Sequence, residues 1–252
     1  MLVRLFCLRK IIEMNRIRIT PSIVPNLFTS LNLFCGFLSV IQTSKGSFEN
    51  AAWFIIAASI FDALDGFMAR LTKSSSELGV ELDSLSDVVS FGLAPAFLLY
   101  SSYFHNLNSI GILISSLPVI TGAFRLARFN VQLVGFDKKF FTGLPIPLCA
   151  LTFVTFFLGF YEYNREFFEL IITPMVLILS ILMVSKVKYD SLPKISIHEI
   201  KSNPIKFIVI FLLIINVFYF EIRGLFFAFV FVILFGIFRH IFNKIQNKFS
   251  RG

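Results

Sequence analysis

Eight stretches of this chain are apolar for long enough to cross a lipid bilayer, and their repetition leaves few folds open. They fall near residues 24–43, 48–68, 83–100, 109–129, 144–161, 167–186, 205–220 and 224–241. A spanning helix needs roughly 17–25 such residues, because backbone amides in hydrocarbon find partners only within their own helix. The composition agrees: 56% of residues are hydrophobic and only 15% are charged, against about 25% charged in soluble domains. Phenylalanine is extreme at 34 copies, which suits lipid-facing helix surfaces. The expected fold is an all-α, polytopic membrane protein with a six-helix core and a C-terminal helical pair. Only Glu221, Ile222 and Arg223 separate the last two runs, so they form either a tight hairpin or one bent re-entrant pair. Boundaries follow at 1–20 (a basic interfacial segment), 21–190 (the membrane domain) and 191–252 (the two-span hairpin and basic tail).

The 23 Lys and Arg residues alternate between the two sides of that arrangement. Arg4, Arg9, Lys10, Arg16 and Arg18 precede the first span; Arg70, Lys73, Arg125, Arg128, Lys138, Lys139 and Lys186 follow the even-numbered ones, and more cations flank the last pair. Lys45, Arg165 and Arg223 alone fall on the other side. Basic residues mark the cytoplasmic side, so both termini and the connection between the second and third spans are expected there. The cations sit at span ends, where they anchor to anionic headgroups, and nothing among them resembles a nucleic-acid-binding fold. Cys7, Cys35 and Cys149 form no metal-type spacing and read as packing residues. Met1 and Met14 are both plausible starts.

Against this apolar background stand four aspartates, Asp62, Asp65, Asp83 and Asp87. One ionised carboxylate at mid-bilayer costs roughly 2.5–3.5 kcal/mol, so four uncompensated ones cost on the order of 10 kcal/mol. Each pair lies three or four residues apart and shares a helix face. The first pair ends the second span and the second opens the third, so all four can converge at one end of an antiparallel helix pair. Oxygen-only donors favour a hard cation such as Mg²⁺ or Mn²⁺. Two such ions can clamp the attacked and leaving oxygens of a phosphoryl transfer. Gly66 and Ala69 clear side chains from the turn after Asp65, and Arg70 adds a planar cation suited to phosphate oxygens. Together they describe a diphosphate site.

The run Asp62-x-x-Asp65-Gly66-x-x-Ala69-Arg70, followed by Gly79, Asp83 and Asp87, resembles the full signature of the CDP-alcohol phosphatidyltransferases. Eight fixed positions agree, and chance agreement is below about one in a million at background frequencies. The resemblance implies attack by a small alcohol on the lipid-side phosphorus of a CDP-linked lipid, with CMP leaving. It implies Asp62, Asp65, Asp83 and Asp87 as metal ligands, Asp87 also as catalytic base, and Gly66, Ala69, Arg70 and Gly79 around the CDP group. It further implies a homodimer. Asn32, a polar residue inside the first span, faces the interior; it contacts the nucleotide or bonds to a neighbouring helix.

The flanks Pro25-Asn26-Leu27-Phe28-Thr29, Asn32 to Gly36, Arg125 to Asn130 and Phe141 to Pro147 resemble the bacterial phosphatidylserine synthase subfamily. That implies CDP-diacylglycerol and L-serine as substrates and a bacterial inner membrane. Choline, inositol or glycerol phosphate are the alternative acceptors. Arg125 or Arg128 can bind the serine carboxylate bidentately, and Asn130 its ammonium group; as the bland alternative, both arginines only anchor the topology. Intramembrane acids also mark cation-coupled transporters, but those place their site at the midplane of repeated, broken helices. No second acidic pair or repeat is present here.

Overall fold

The computed structural model describes residues 23–72, 76–133, 141–189 and 204–249. The segment 1–20, both candidate starts, Cys7 and the loop cations Lys73, Lys138, Lys139, Lys194 and Lys201 lie outside the described residues.

The first helix, α1 (Ile23–Ser44), carries Pro25 in its opening turn, where a missing amide proton costs nothing. A tight turn through Gly46 returns the chain into α2 (Phe48–Thr72), and the two pack side by side along their length. Ala51, Ala52, Ile55 and Ala58 form the buried face of α2, and such small residues let neighbouring helices approach closely.

The third span joins three pieces: α3 (Glu77–Asp87), a π-helical turn (Val88–Leu93) and α4 (Ala94–Ser102). A short 3-10 helix (Phe104–Leu107) then meets α5 (Asn108–Leu133) at a sharp corner. Asn108 takes φ 50° there, and Gly111 lies against the carbonyl of Phe104. The same corner recurs late in the chain. Helix α8 (Pro204–Phe249) breaks at Glu221, φ 49°, and Gly224 lies against the carbonyl of Asn216. Contact between residues eight apart, which a straight helix keeps about 12 Å apart, marks a sharp turn between the two arms.

At the centre stands α6 (Ile146–Phe160), about 22 Å long at 1.5 Å per residue. Eleven of its fifteen residues are buried. Its rings join three helices: Phe156 stacks on Phe168 of α7 (Arg165–Val184) at 5.3 Å and meets Phe226 of α8 at 5.0 Å. Phenylalanine therefore serves the interior as well as the lipid face, since Phe91, Phe104, Phe153, Phe156 and Phe168 are fully buried while Phe34, Phe37, Phe124 and Phe238 are exposed. Aromatic rings supply large buried area where aliphatic side chains would leave gaps.

Two short strands, β1 (Phe141–Thr142) and β2 (Lys188–Tyr189), pair antiparallel beyond the ends of α5 and α7. The Tyr189 ring fills the notch left by Gly236 and so docks α8 on this end. Among the described residues, six helical stretches are long and apolar enough to cross a membrane: Ile23–Ser44, Phe48–Thr72, Glu77–Ser102, Phe104–Val131, Arg165–Val184 and Leu212–Gln246, the last containing the Glu221 break. The shorter Ile146–Phe160 is apolar too. The protein is an all-α, multi-pass membrane protein.

Candidate active site: an acidic cleft beside α1

Helices α2 and α3 face each other across a cleft where their acidic side chains meet, and α1 packs against both. Asp62 and Asp65 project from the last turns of α2, which continues to Thr72. Ser76 starts α3 as its N-cap, accepting a hydrogen bond from the Gly79 amide at 3.0 Å, and this places Asp83 and Asp87 one turn apart. Across the cleft, one carboxylate oxygen from each of Asp62, Asp83 and Asp87 lies within 4.8 Å of the others.

Asp65 does not join that trio. Three residues on from Asp62, it falls about 60° short of a full turn of α2, and the Thr29 hydroxyl of α1 donates to its Oδ2 at 2.9 Å. The convergence of all four carboxylates expected from the sequence is thus a convergence of three, with the fourth turned toward α1.

Asp83 Oδ1 and Asp87 Oδ1 are buried and accept no hydrogen bond. The guanidinium of Arg125, itself buried, neighbours Asp87 closely enough to interact with its charge, but no ion pair within 4 Å joins them among the described residues. Arg125 Nε also lacks a partner. Three carboxylates against one guanidinium leave excess negative charge in a poorly solvated cleft, an arrangement that is expensive unless a cation completes it. All the donors are oxygens, and no His or Cys belongs to the group. The residues present therefore fit a hard divalent cation.

Around the trio, Arg70 folds back over Gly66, its Nη1 coming within 3.6 Å of where a Cβ would stand. Ala69 lies half-buried on the same stretch, and Arg70 is exposed. Gly79 closes the first turn of α3 against Asn26, whose Oδ1 would be 3.0 Å from a Cβ there. Asn32 is wholly buried, one turn deeper along α1 than Thr29, and neither atom of its amide has a partner.

The three residues expected at the acceptor have different surroundings. Arg125 faces the acids. Arg128 turns instead to the end of α7, where Nη1 donates to the Val184 carbonyl at 3.1 Å and Nη2 to that of Ser185 at 3.3 Å. Asn130 Nδ2 donates to Ser84 Oγ at 3.0 Å and approaches Glu81 Oε2 at 3.5 Å, tying α5 to α3. Thr29, which the sequence marks only as part of a family-like flank, and Ser84 are further neighbours of the site. The available signal for Thr29 was its place three residues before Asn32, on the same face of α1.

Comparison with known proteins agrees with this geometry. The family model described as CDP-alcohol phosphatidyltransferase matches residues 22–185. A protein of Helicobacter pylori (strain J99) named CDP-diacylglycerol–serine O-phosphatidyltransferase is 36% identical over 230 residues, covering 90% of this chain and 95% of its own. A Bacillus subtilis protein of the same name is 33% identical over 180 residues, 71% of this chain and 97% of its own. An archaetidylserine synthase of Methanothermobacter thermautotrophicus is 42% identical over 180 residues, 70% of this chain and 73% of its own. A match across the whole acidic cleft, with relatives alike over most of their length, makes this chain a member of the CDP-alcohol phosphatidyltransferase family.

Proposed function

We propose that this protein transfers the phosphatidyl group of CDP-diacylglycerol to the hydroxyl of L-serine, giving phosphatidylserine and CMP. The observation that carries the reading is the convergence of Asp62, Asp83 and Asp87, with a buried, unpartnered carboxylate oxygen on each of Asp83 and Asp87. The choice of serine rests on the names of the relatives and on Arg125, a buried cation beside those acids.

Asp62, Asp83 and Asp87, with Asp65 beside them, would hold one or two Mg²⁺ or Mn²⁺ ions. Bound there, the metal supplies positive charge to the diphosphate oxygens. The remaining work falls to the chain. Arg70, backed by Gly66 and Ala69, steadies the diphosphate from the exposed end of α2, Gly79 gives the CDP group room at the start of α3, and Asn32 offers its free amide from deeper in α1. Arg125 receives the serine carboxylate through two parallel N–H donors, and Asn130 stands near its ammonium group. This orients the serine Oγ toward phosphorus. As the new O–P bond forms and the bond to the CMP oxygen breaks, the Oγ proton passes to a carboxylate oxygen of Asp87 and then to water. CMP leaves as an anion of low basicity, so the harder requirement is activation of the alcohol.

The positive-inside distribution supports a cleft open to the cytoplasm; a bacterial inner membrane and a homodimer are what the family resemblance implies. The test is to supply the purified full chain, in vesicles containing CDP-diacylglycerol and Mg²⁺ or Mn²⁺, with labelled L-serine, choline, inositol or glycerol 3-phosphate. Label from serine alone is expected in lipid, with one CMP released per lipid formed; incorporation of another alcohol in its place overturns the assignment.

A further inference from the structure

Two buried serines beside the acids take no part in the chemistry above. Ser86, adjacent to Asp87, donates from Oγ to the carbonyl of Thr29 at 3.1 Å. Ser90, one turn on and inside the π-helical turn, donates to the carbonyl of Asn32 at 2.9 Å. Both are completely buried. Their acceptors rise along α1 as the serines rise along the third span, so two parallel helices are joined rung by rung. One turn beyond Asn32, Gly36 completes the fit: a Cβ there would overlap Ser90 Oγ and stand only 2.8 Å from the Ser90 Cα.

Thr29 is the junction of this lattice. Its carbonyl holds the helix of Asp83 and Asp87 through Ser86, while its hydroxyl holds the helix of Asp62 and Asp65 through Asp65. Because α1 packs against both α2 and α3, it helps to set the width of the cleft between them, alongside the direct packing of α2 on α4 and the π-helical turn. The π-helical turn begins right after Asp87. Ser86 and Ser90, four residues apart, share the face turned to α1, while Asp83 and Asp87 share the face turned to the cleft.

We propose that Ser86, Ser90 and Gly36 are positioning residues: acting through α1, they set the separation of Asp62 from Asp83 and Asp87, and hence the affinity of the acidic cleft for a divalent cation. This rests on the metal-binding reading of the trio. Neither serine touches substrate, and their loss acts on metal binding before it acts on serine recognition.

The test is direct Mn²⁺ titration of the full chain in detergent micelles, read by the electron paramagnetic resonance signal of free Mn²⁺ and paired with the thermal midpoint of each protein. S86A/S90A is expected to weaken Mn²⁺ binding about tenfold, with a midpoint within a few degrees of the parent and an unchanged KM for serine at saturating metal. S86T, which keeps the hydroxyl, should bind as the parent does. G36A, which wedges the two helices apart, should weaken binding in the same direction. Mn²⁺ affinity within twofold of the parent in S86A/S90A, whether or not the midpoint falls, reduces the serines to packing and overturns the proposal. A parent protein that binds no Mn²⁺ overturns the metal reading itself and the proposal with it.

Discussion

Arg125 and Arg128 stand three residues apart on α5 yet answer to different neighbours: Arg125 is buried beside the charge of Asp87, and Arg128 donates to the carbonyls that end α7. Their substitutions should therefore separate. On the proposal that Arg125 receives the serine carboxylate, Arg125→Ala is expected to raise the apparent KM for serine about tenfold or more while leaving that for CDP-diacylglycerol within about twofold. Arg128→Ala should lower the thermal midpoint and leave the serine KM near its parent value. Steady-state kinetics in both substrates, with a melting curve for each variant, checks the pair. Equal effects of Arg125→Ala on the two KM values would return that residue to a structural role.

Asp87→Asn keeps the shape of the side chain and removes its capacity to take a proton. Turnover should fall by at least about a hundredfold, the scale on which general-base groups contribute. CDP-diacylglycerol binding, measured separately with labelled lipid, should largely persist. Removing divalent ions with a chelator is expected to stop CMP release in the parent, and Mg²⁺ or Mn²⁺ should restore it. Metal-independent CMP release would contradict the assignment of Asp62, Asp83 and Asp87.

The helices and the acids were legible because each is a local pattern. Apolar length marks a span, and a carboxylate within one stands out by its cost. What could not be read are partnerships across distance. Asp65 looks equivalent to Asp62 in the sequence, but its hydroxyl partner Thr29 is 36 residues away and reaches it only because α1 packs on α2. Arg128 looks equivalent to Arg125, and the carbonyls it caps lie 56 and 57 residues further on. The π-helical turn at Val88–Leu93 carries no local mark either. Within it, Ser90 packs against Gly36 of α1, a contact 54 residues apart that no local pattern announces.

The Thr29–Asp65 hydrogen bond should matter to turnover although Thr29 carries no charge. A buried ionised acceptor deprived of its donor loses about 1.5–3 kcal/mol. Thr29→Val is therefore expected to reduce kcat about tenfold or more by releasing Asp65 from its fixed orientation. Thr29→Ser, which restores the hydroxyl, should recover most of that loss. A valine variant as active as the parent would show that the orientation of Asp65 is immaterial to the chemistry.

Gly143 gives the last test, because backbone conformation and close packing act at one position. Its φ of 87° disfavours any residue with a Cβ. A Cβ there would also overlap the Met183 carbonyl and stand 2.9 Å from Arg128 Nη2. The Gly143 amide meanwhile donates to the Val187 carbonyl at 2.8 Å, so the backbone cannot swing away without losing that bond. Gly143→Ala should destabilise the protein by more than the roughly 1 kcal/mol typical of an unfavourable φ alone. Part of the loss should come through Arg128, so that combining it with Arg128→Ala gives less than the sum of the two separate effects. A double-mutant cycle on thermal midpoints in detergent measures the difference; strict additivity would separate the glycine from the arginine's cap on α7.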